Sequence, residues 1–277
     1  MQASPRKLRT LIKNYFFYGP FRLYYACYNE WKWHICEAAY FFYIKNSHRV
    51  NAIADILEDK KSKKIYLGLI QFRKERNVRN YPFHLVEEEQ YFIKEFSFDK
   101  NEVFIDCGAY TGDTIDNFFR HCKRYKQIVA LEPDLKKFKE LKNKYCKKSK
   151  IKPLNIGAYD KNGVIKFAEI DNGGSRIIEN DRNNSAYSIK TKTIDSLNIK
   201  DVTFIKMDIE GAELKALKGA KKTILKNKPK LAIAIYHSNE DMVDIVEYVH
   251  SLVPEYKLYV RQYGLVHETV LYAIMPS

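Results

Sequence analysis

The stretch Glu102-Val-Phe-Ile-Asp106-Cys-Gly108-Ala-Tyr110-Thr-Gly112-Asp113-Thr114-Ile115 constrains the fold more than any other. A short apolar run ends in an acid, passes through a loop with two glycines, and enters residues that start helices. That order reads as strand, turn, helix, the opening unit of an α/β sheet. In such a sheet ligands sit beyond the carboxyl ends of the strands, where loop backbone and helix N-termini offer unobstructed donors. Asp106 stands at that end. Gly108 and Gly112 remove Cβ atoms where the backbone must be approached closely or where φ must be positive.

The spacing Gly-x-x-x-Gly is neither the dinucleotide pattern Gly-x-Gly-x-x-Gly nor a phosphate loop, which needs Gly-Lys-Ser/Thr. An acid at the strand tip repels a pyrophosphate and favours an ammonium or a sulfonium, the two cationic groups of S-adenosylmethionine. An ordinary tight turn between strand and helix would use the same residues. A second apolar run, Gln127 to Leu131, ends in Glu132-Pro133-Asp134 about one βαβ repeat later. A carboxylate there can accept both ribose hydroxyls of a nucleoside, because its two oxygens match a vicinal diol. Asp106 and Glu132 together point to a nucleoside-type cofactor.

The 277 residues are enough for a main domain with an appendage. The 48 basic against 34 acidic residues give a formal net charge of +14. This favours polyanionic partners, whether nucleic acid, an anionic membrane face, or phosphorylated and sugar-nucleotide substrates. An AT-rich coding sequence, abundant in Lys, Tyr, Asn and Ile, would give the same balance. Cysteines 27, 36, 107, 122 and 146 form no zinc-type spacing, and their scatter suits a reducing cytoplasm. The apolar stretches near the start are broken by charges, so neither a signal peptide nor a membrane span is expected.

Residues 1–80 read as a helical N-terminal appendage and 81–277 as the catalytic domain, with a break at Tyr81-Pro82-Phe83-His84. Within residues 1–45, Arg6, Lys7, Arg9 and Lys13 precede an aromatic tract from Tyr15 to Tyr43. This composition suits peripheral contact with the inner face of a membrane, and it could equally stack on bases. It would serve as well for packing on the catalytic domain or on a second copy in a homodimer. Glu87 to Phe96 is expected as one helix leading into the first strand.

Further along, helices are expected over Thr114–Tyr125 and Leu135–Cys146, and a third strand at Ile151. Gly157 and Ala158 follow that strand, where this architecture brings the backbone close to an adenine. Val164–Ile170 and Ala186–Ile194 alternate as strands around a polar loop, Asp171–Asn184. The run Val202 to Met207 ends in Asp208-Ile209-Glu210-Gly211-Ala212-Glu213. If the chain stays extended past Asp208, Glu210 projects to the same side, and two such acids can share a proton, ligate a divalent cation or act as a base. Glu213 reads as a helix-start residue. His237 ends the next strand and is a candidate base or metal ligand, although a lone histidine is more often structural. Tyr256–Arg261 and Val270–Ile274 form a closing antiparallel hairpin.

Four blocks carry a resemblance: Phe104 to Thr114, Leu131-Glu-Pro-Asp134, Phe204 to Glu213, and Pro229 to His237. Running in order between about Glu88 and Ala273, they resemble the FkbM family of S-adenosylmethionine-dependent methyltransferases. The first eighty residues carry no recognised motif. The resemblance implies a Rossmann-like, mostly parallel seven-stranded sheet of the class I methyltransferase type. It also implies O-methylation, often of sugar hydroxyls in surface glycans such as capsule or lipopolysaccharide, or in natural products. By it, Asp106, Gly108 and Gly112, with Tyr110, Asp113 and Thr114, would hold the methionine end. Glu132 and Pro133 would meet the ribose, and Asp208, Glu210 and His237 would face the acceptor.

Methyl transfer from a sulfonium is an in-line displacement, so the acceptor oxygen must be held about 3 to 3.5 Å from the methyl carbon. A sugar hydroxyl then needs a base, or a metal that lowers its pKa. The expectation is His237 as base, oriented by Asp208 or Glu210, with Mg²⁺ held by Asp208 and Asn239 as the variant. Two other classes stay open: an RNA methyltransferase, for which no amino-transfer motif or RNA-binding module is found, and a non-catalytic lipid- or protein-binding scaffold. Three acids at strand tips argue against the scaffold.

Overall fold

A computed structural model describes residues 34–75, 89–170, 174–177, 186–264 and 268–276. The aromatic tract before residue 34, the Tyr81–His84 break and most of the 171–184 loop lie outside these residues. So, largely, does the stretch expected to touch a membrane. No helix among the described residues is long and apolar enough to cross a membrane.

The strands are β1 (Val103–Cys107), β2 (Gln127–Leu131), β3 (Ile151–Leu154), β4 (Gly157–Ala158), β5 (Gly163–Ile170), β6 (Gly174–Ile177), β7 (Ala186–Lys192), β8 (Phe204–Met207), β9 (Lys230–Ala234), β10 (Lys257–Gln262) and β11 (Thr269–Ile274). Seven of them form one sheet in the order β10-β11-β9-β8-β1-β2-β3. β3, β2, β1, β8 and β9 run parallel, and the β10–β11 hairpin joins with β11 antiparallel to β9. The expected seven-stranded, mostly parallel sheet and its closing hairpin are present. A small second sheet, β4-β7-β5-β6, is inserted between β3 and β8.

The described helices are α1 (His34–Lys45), α2 (Ser47–Ile56), α3 (Lys60–Glu75), α4 (Asp113–His121), α5 (Leu135–Lys144), α6 (Glu213–Lys218), α7 (Lys221–Asn227) and α8 (Asp241–Leu252). They cover both faces of the large sheet, because alternate residues of its strands supply two separate apolar surfaces. Val103, Ile105, Cys107, Val129, Ile205, Met207 and Ile233 join Tyr43, Ile53, Ile65, Tyr66 and the apolar face of α8 in one cluster. Phe104, Ile128, Ala130, Phe204 and Ala232 join Phe92, Phe96, Phe118 and Leu141 in the other. Register fixes the centre: Phe104 pairs with Phe204 across β1 and β8, and their rings stack with centroids 4.6 Å apart.

One expectation changes here. Over 89–96 the chain makes a tight turn with a Glu89–Phe92 bridge and no helix. Tyr91 at its centre has φ +71°, a conformation no helix contains. The helices before the sheet also share its core: Ile65 and Tyr66 are fully buried in the same cluster as β1, β8 and β9. The apolar periodicity of 50–72 reports that packing.

Substituting Ile65→Ala is therefore expected to lower global stability by about 2–5 kcal/mol in chemical denaturation, the usual cost of emptying a buried isoleucine site. A loosely attached helix would leave the main transition where it is.

Candidate functional site

The carboxyl ends of β1, β2, β8 and β9 open onto one cavity of about 310 Å³, within the range of small-molecule sites. One end is formed by Glu132, Pro133, Asp134 and Tyr110, with Gly157, Ala158, Ile165, Ile189 and Thr191 of the inserted sheet as its wall. Asp208, Ile209, Glu210, Tyr91, Tyr236, Gln90 and Glu268 form the other, and Gly108, Asp113, Thr114 and Lys206 lie between. Of the residues singled out by sequence, the cavity gathers Gly108, Tyr110, Asp113, Thr114, Glu132, Pro133, Gly157, Ala158, Asp208 and Glu210. Asp106, Gly112 and His237 are not part of its lining.

Glu132 is buried, and each of its oxygens takes one backbone N–H: Oε2 from Tyr110 at 2.8 Å and Oε1 from Asp134 at 2.9 Å. Burial pushes its pKa up, and those two N–H groups pull against the shift. A carboxylate offers about four lone-pair sites, so two bonds leave capacity for two more, as a ribose diol requires. Asp134 caps α5 by accepting from Lys137 N–H at 2.7 Å, which fixes the turn that carries Glu132.

Asp106 does not reach the cavity. It is fully buried, and Lys206 of β8, its register partner, brings Nζ to 3.2 Å from Oδ1 while donating to the Gly108 carbonyl at 2.8 Å. Burial works against the lysine charge, but Asp106, Asp208 and Asp113 hold its pKa above the ordinary lysine value. The cation that Asp106 attracts is thus supplied by the chain. The two glycines take the positive φ expected of them, and the close approach at each is to protein neighbours. A Cβ on Gly108 would lie 2.0 Å from the Asp208 carbonyl oxygen, and one on Gly112 would lie 2.5 Å from the Tyr145 ring. Both have positive φ. They let the β1 loop pack against its neighbours as well as take its turn.

Asp208 accepts from the Tyr91 hydroxyl on Oδ2 at 2.6 Å and from the Tyr236 hydroxyl on Oδ1 at 3.1 Å. Burial, and then the Asp208 charge, push both phenols well above their usual range, so they remain donors. Sequence reasoning placed Tyr91 in a helix and did not single out Tyr236. Glu210 sits in a left-handed turn, φ +60°, and burial followed by Asp208 and Glu213 raises its pKa against the pull of His237.

His237 lies behind these acids. Its Nε2 is 3.5 Å from Asp208 Oδ1 and 3.7 Å from Glu210 Oε2, and its Nδ1 is 3.3 Å from Glu213 Oε1. None of these contacts is aligned as a hydrogen bond among the described residues. Burial disfavours the imidazolium, but Glu213, Asp208 and Glu210 outweigh it and push the pKa up to about 9. Glu213, fully buried at the start of α6, also accepts from Ile209 N–H at 2.7 Å, so it shapes the loop as well as facing the histidine.

The expected pairing of Asp208 with Asn239 on a metal is not formed, because Asn239 Oδ1 accepts from Tyr43 and Arg73 instead. Asp208, Glu213 and His237 do bring carboxylate and imidazole atoms within 4.8 Å of one another. With its pKa pushed up, His237 pairs with these carboxylates as a cation, and a metal held by the three groups would displace a proton from its ring.

Two consequences can be measured. Lys206→Met should cost about 3–5 kcal/mol in denaturant titration by stranding a buried carboxylate, and the double variant Asp106→Asn/Lys206→Met should recover most of it. The folded-state pKa of His237 is raised, so its contribution is fully present below about pH 6.5 and is lost as pH rises through about 9. The stability difference between wild type and His237→Gln should therefore shrink across that window, by on the order of 3 kcal/mol.

The sequence profile of the methyltransferase FkbM domain matches residues 106–264, more than half of the chain. Among solved structures, the chain is similar to a methyltransferase FkbM from Methylobacillus flagellatus KT, with 28% identity and a TM-score of 0.71. The match covers 85% of this chain and 60% of that one, so this chain spans about three-fifths of its relative's length. An rRNA methylase from Streptococcus thermophilus matches at 13% identity and a TM-score of 0.41, covering 64% of this chain and 89% of that one. Fibrillarin from Aeropyrum pernix, solved with natively bound S-adenosyl-L-methionine, matches at 10% identity and a TM-score of 0.39, covering 66% and 70%. No curated protein sequence matches. With its domain profile, sheet order and strand-tip cavity together, the chain belongs to the FkbM family of methyltransferases.

Proposed function

We propose that this chain is an S-adenosylmethionine-dependent O-methyltransferase that acts on a sugar hydroxyl, in a surface glycan such as capsule or lipopolysaccharide or in a natural product. The observation that carries the reading is the two-ended cavity, with Glu132 at one end and Asp208, gripped by two tyrosine hydroxyls, at the other. The free lone pairs of Glu132 suit ribose hydroxyls, and Gly157 and Ala158 offer a flat backbone wall for an adenine. When bound, the cofactor supplies a methyl group on a sulfonium, an electrophile ready for displacement.

The chain's own work is to hold a hydroxyl oxygen in line and to take its proton as the new bond forms. Asp208 is the group for this role, since it lines the cavity as a carboxylate with both oxygens oriented. Asp208 is preferred over His237, the base the sequence suggested, because the carboxylates around the imidazole push its pKa up to about 9 and the ring is not part of the cavity lining. There its charge, itself held by Glu213, keeps Asp208 and Glu210 in place.

The acceptor end favours a neutral polyhydroxyl compound. Asp208, Glu210 and Glu268 line it with Tyr91, Tyr236 and Gln90, a set that bonds hydroxyls and offers aromatic surface but repels a phosphodiester. Among the described residues that line this end, the net positive charge of the chain is not repeated, which weighs against an RNA acceptor.

Incubation with methyl-labelled S-adenosylmethionine and parallel glycan and RNA pools should label glycan. Asp208→Asn should lower that transfer by about 10²–10⁴-fold while leaving S-adenosylhomocysteine affinity within a few-fold. Label in RNA alone would overturn the acceptor class. Unchanged turnover of the variant would remove Asp208 as base.

A further inference from the structure

The loop after β9 carries Tyr236 and His237 to the acceptor end, and it is gripped from outside the sheet. Arg73, in the last turn of α3, is 5% exposed. Its Nη2 donates to the Tyr236 carbonyl at 2.9 Å, and its Nη1 donates to the Ser238 carbonyl at 2.8 Å and reaches Asn239 Oδ1 at 3.4 Å. Tyr43 of α1 donates to the same Asn239 oxygen at 3.2 Å. The two carbonyls bound by Arg73 belong to the residues on either side of His237. Fixing both restricts the backbone of His237 and so the direction in which its ring leaves the chain.

A buried guanidinium is costly to desolvate unless its donors are matched, and the rigid fork of arginine can bridge two carbonyls that a lysine cannot. A purely space-filling role at this point of the core would need no charge. Asn239, which the sequence suggested as a metal ligand, instead ties the loop to α1 and α3. Both helices lie before residue 106, where the family profile begins.

We propose that Arg73, with Tyr43, is a positioning device that holds the β9 loop so that Tyr236 and His237 meet Asp208. The helices before the sheet are by this account part of the reaction centre's framework. The inference rests on the methyl-transfer reading above, and its test separates the two.

In the full chain, the imidazole carbon-proton signal of His237, assigned by its loss in His237→Gln, is followed through a pH titration. The groups facing that ring are Asp208, Glu210, Glu213, Asp241 and the Tyr236 phenol. Removing the Arg73 charge without moving the loop would raise the midpoint. Releasing the ring from its carboxylates lowers it toward the ordinary histidine value.

For Arg73→Met the expected result is a midpoint at least one pH unit below that of the wild type. Tyr43→Phe, which removes no charge and keeps the ring, should shift it in the same direction by less. S-adenosylhomocysteine affinity, measured by calorimetry on the same samples, should stay within a few-fold because Glu132 lies at the other end of the cavity. A midpoint that rises or stays fixed in folded Arg73→Met overturns the proposal. If that variant does not fold, an unmoved midpoint in Tyr43→Phe overturns it. Absence of cofactor binding in the wild type would count against the methyl-transfer reading while leaving the positioning result to stand on the titration.

Discussion

The buried pair of Asp106 and Lys206 sets the electrostatics on which the rest of the site depends. Both side chains are buried on adjacent central strands, in direct register, with Lys206 at the cavity lining and Asp106 beneath it. Their charges cancel where solvent cannot screen them, so Asp106 is not among the carboxylates lining the cavity, which are Glu132 and Asp134 at one end, Asp113 between, and Asp208, Glu210 and Glu268 at the other. Without the lysine, the floor would add another buried anion beside Asp208. A second compensated pair, His237 with Glu213, does the same behind the acceptor wall.

Two layers of structure converge on this arrangement. The parallel sheet brings the strand tips together and fixes the spacing between Glu132 and Asp208. The helical layer on one face, including α1 to α3, grips the β9 loop through Arg73 and Tyr43. From beyond the sheet's other face, Tyr91 is held by the Tyr272 hydroxyl on its N–H and spans to Asp208 with its own hydroxyl. Asp208 is consequently held from both faces, which suits the fixed direction that the proposed role of base in an in-line transfer would demand.

Much of this was legible in the chain itself. Apolar runs ending in Asp106, Glu132 and Asp208 announce parallel strands with their chemistry at the carboxyl ends, and the β10–β11 hairpin follows from simple alternation. Lys206 was readable too: it stands two residues after Phe204 as Asp106 stands two after Phe104, so pairing the phenylalanines pairs the charges. What the sequence hid depends on contacts between distant segments. Tyr91 needs a left-handed turn that its aromatic, acid-rich surroundings disguise as a helix. Arg73 sits in a lysine-rich helix whose other charged residues are exposed or half-buried, and nothing local marks it as buried. The charge state of His237 depends on three carboxylates that meet only in the folded chain.

Calorimetric titration with S-adenosylhomocysteine, on the wild type and on Glu132→Ala, tests the central claim that the strand-tip cavity is a nucleoside-cofactor site. The account predicts micromolar binding by the wild type and a loss of about 1–3 kcal/mol in the variant, the effect of removing charge-assisted hydrogen bonds to a diol. Absence of binding by the wild type, or equal binding by both proteins, would contradict it.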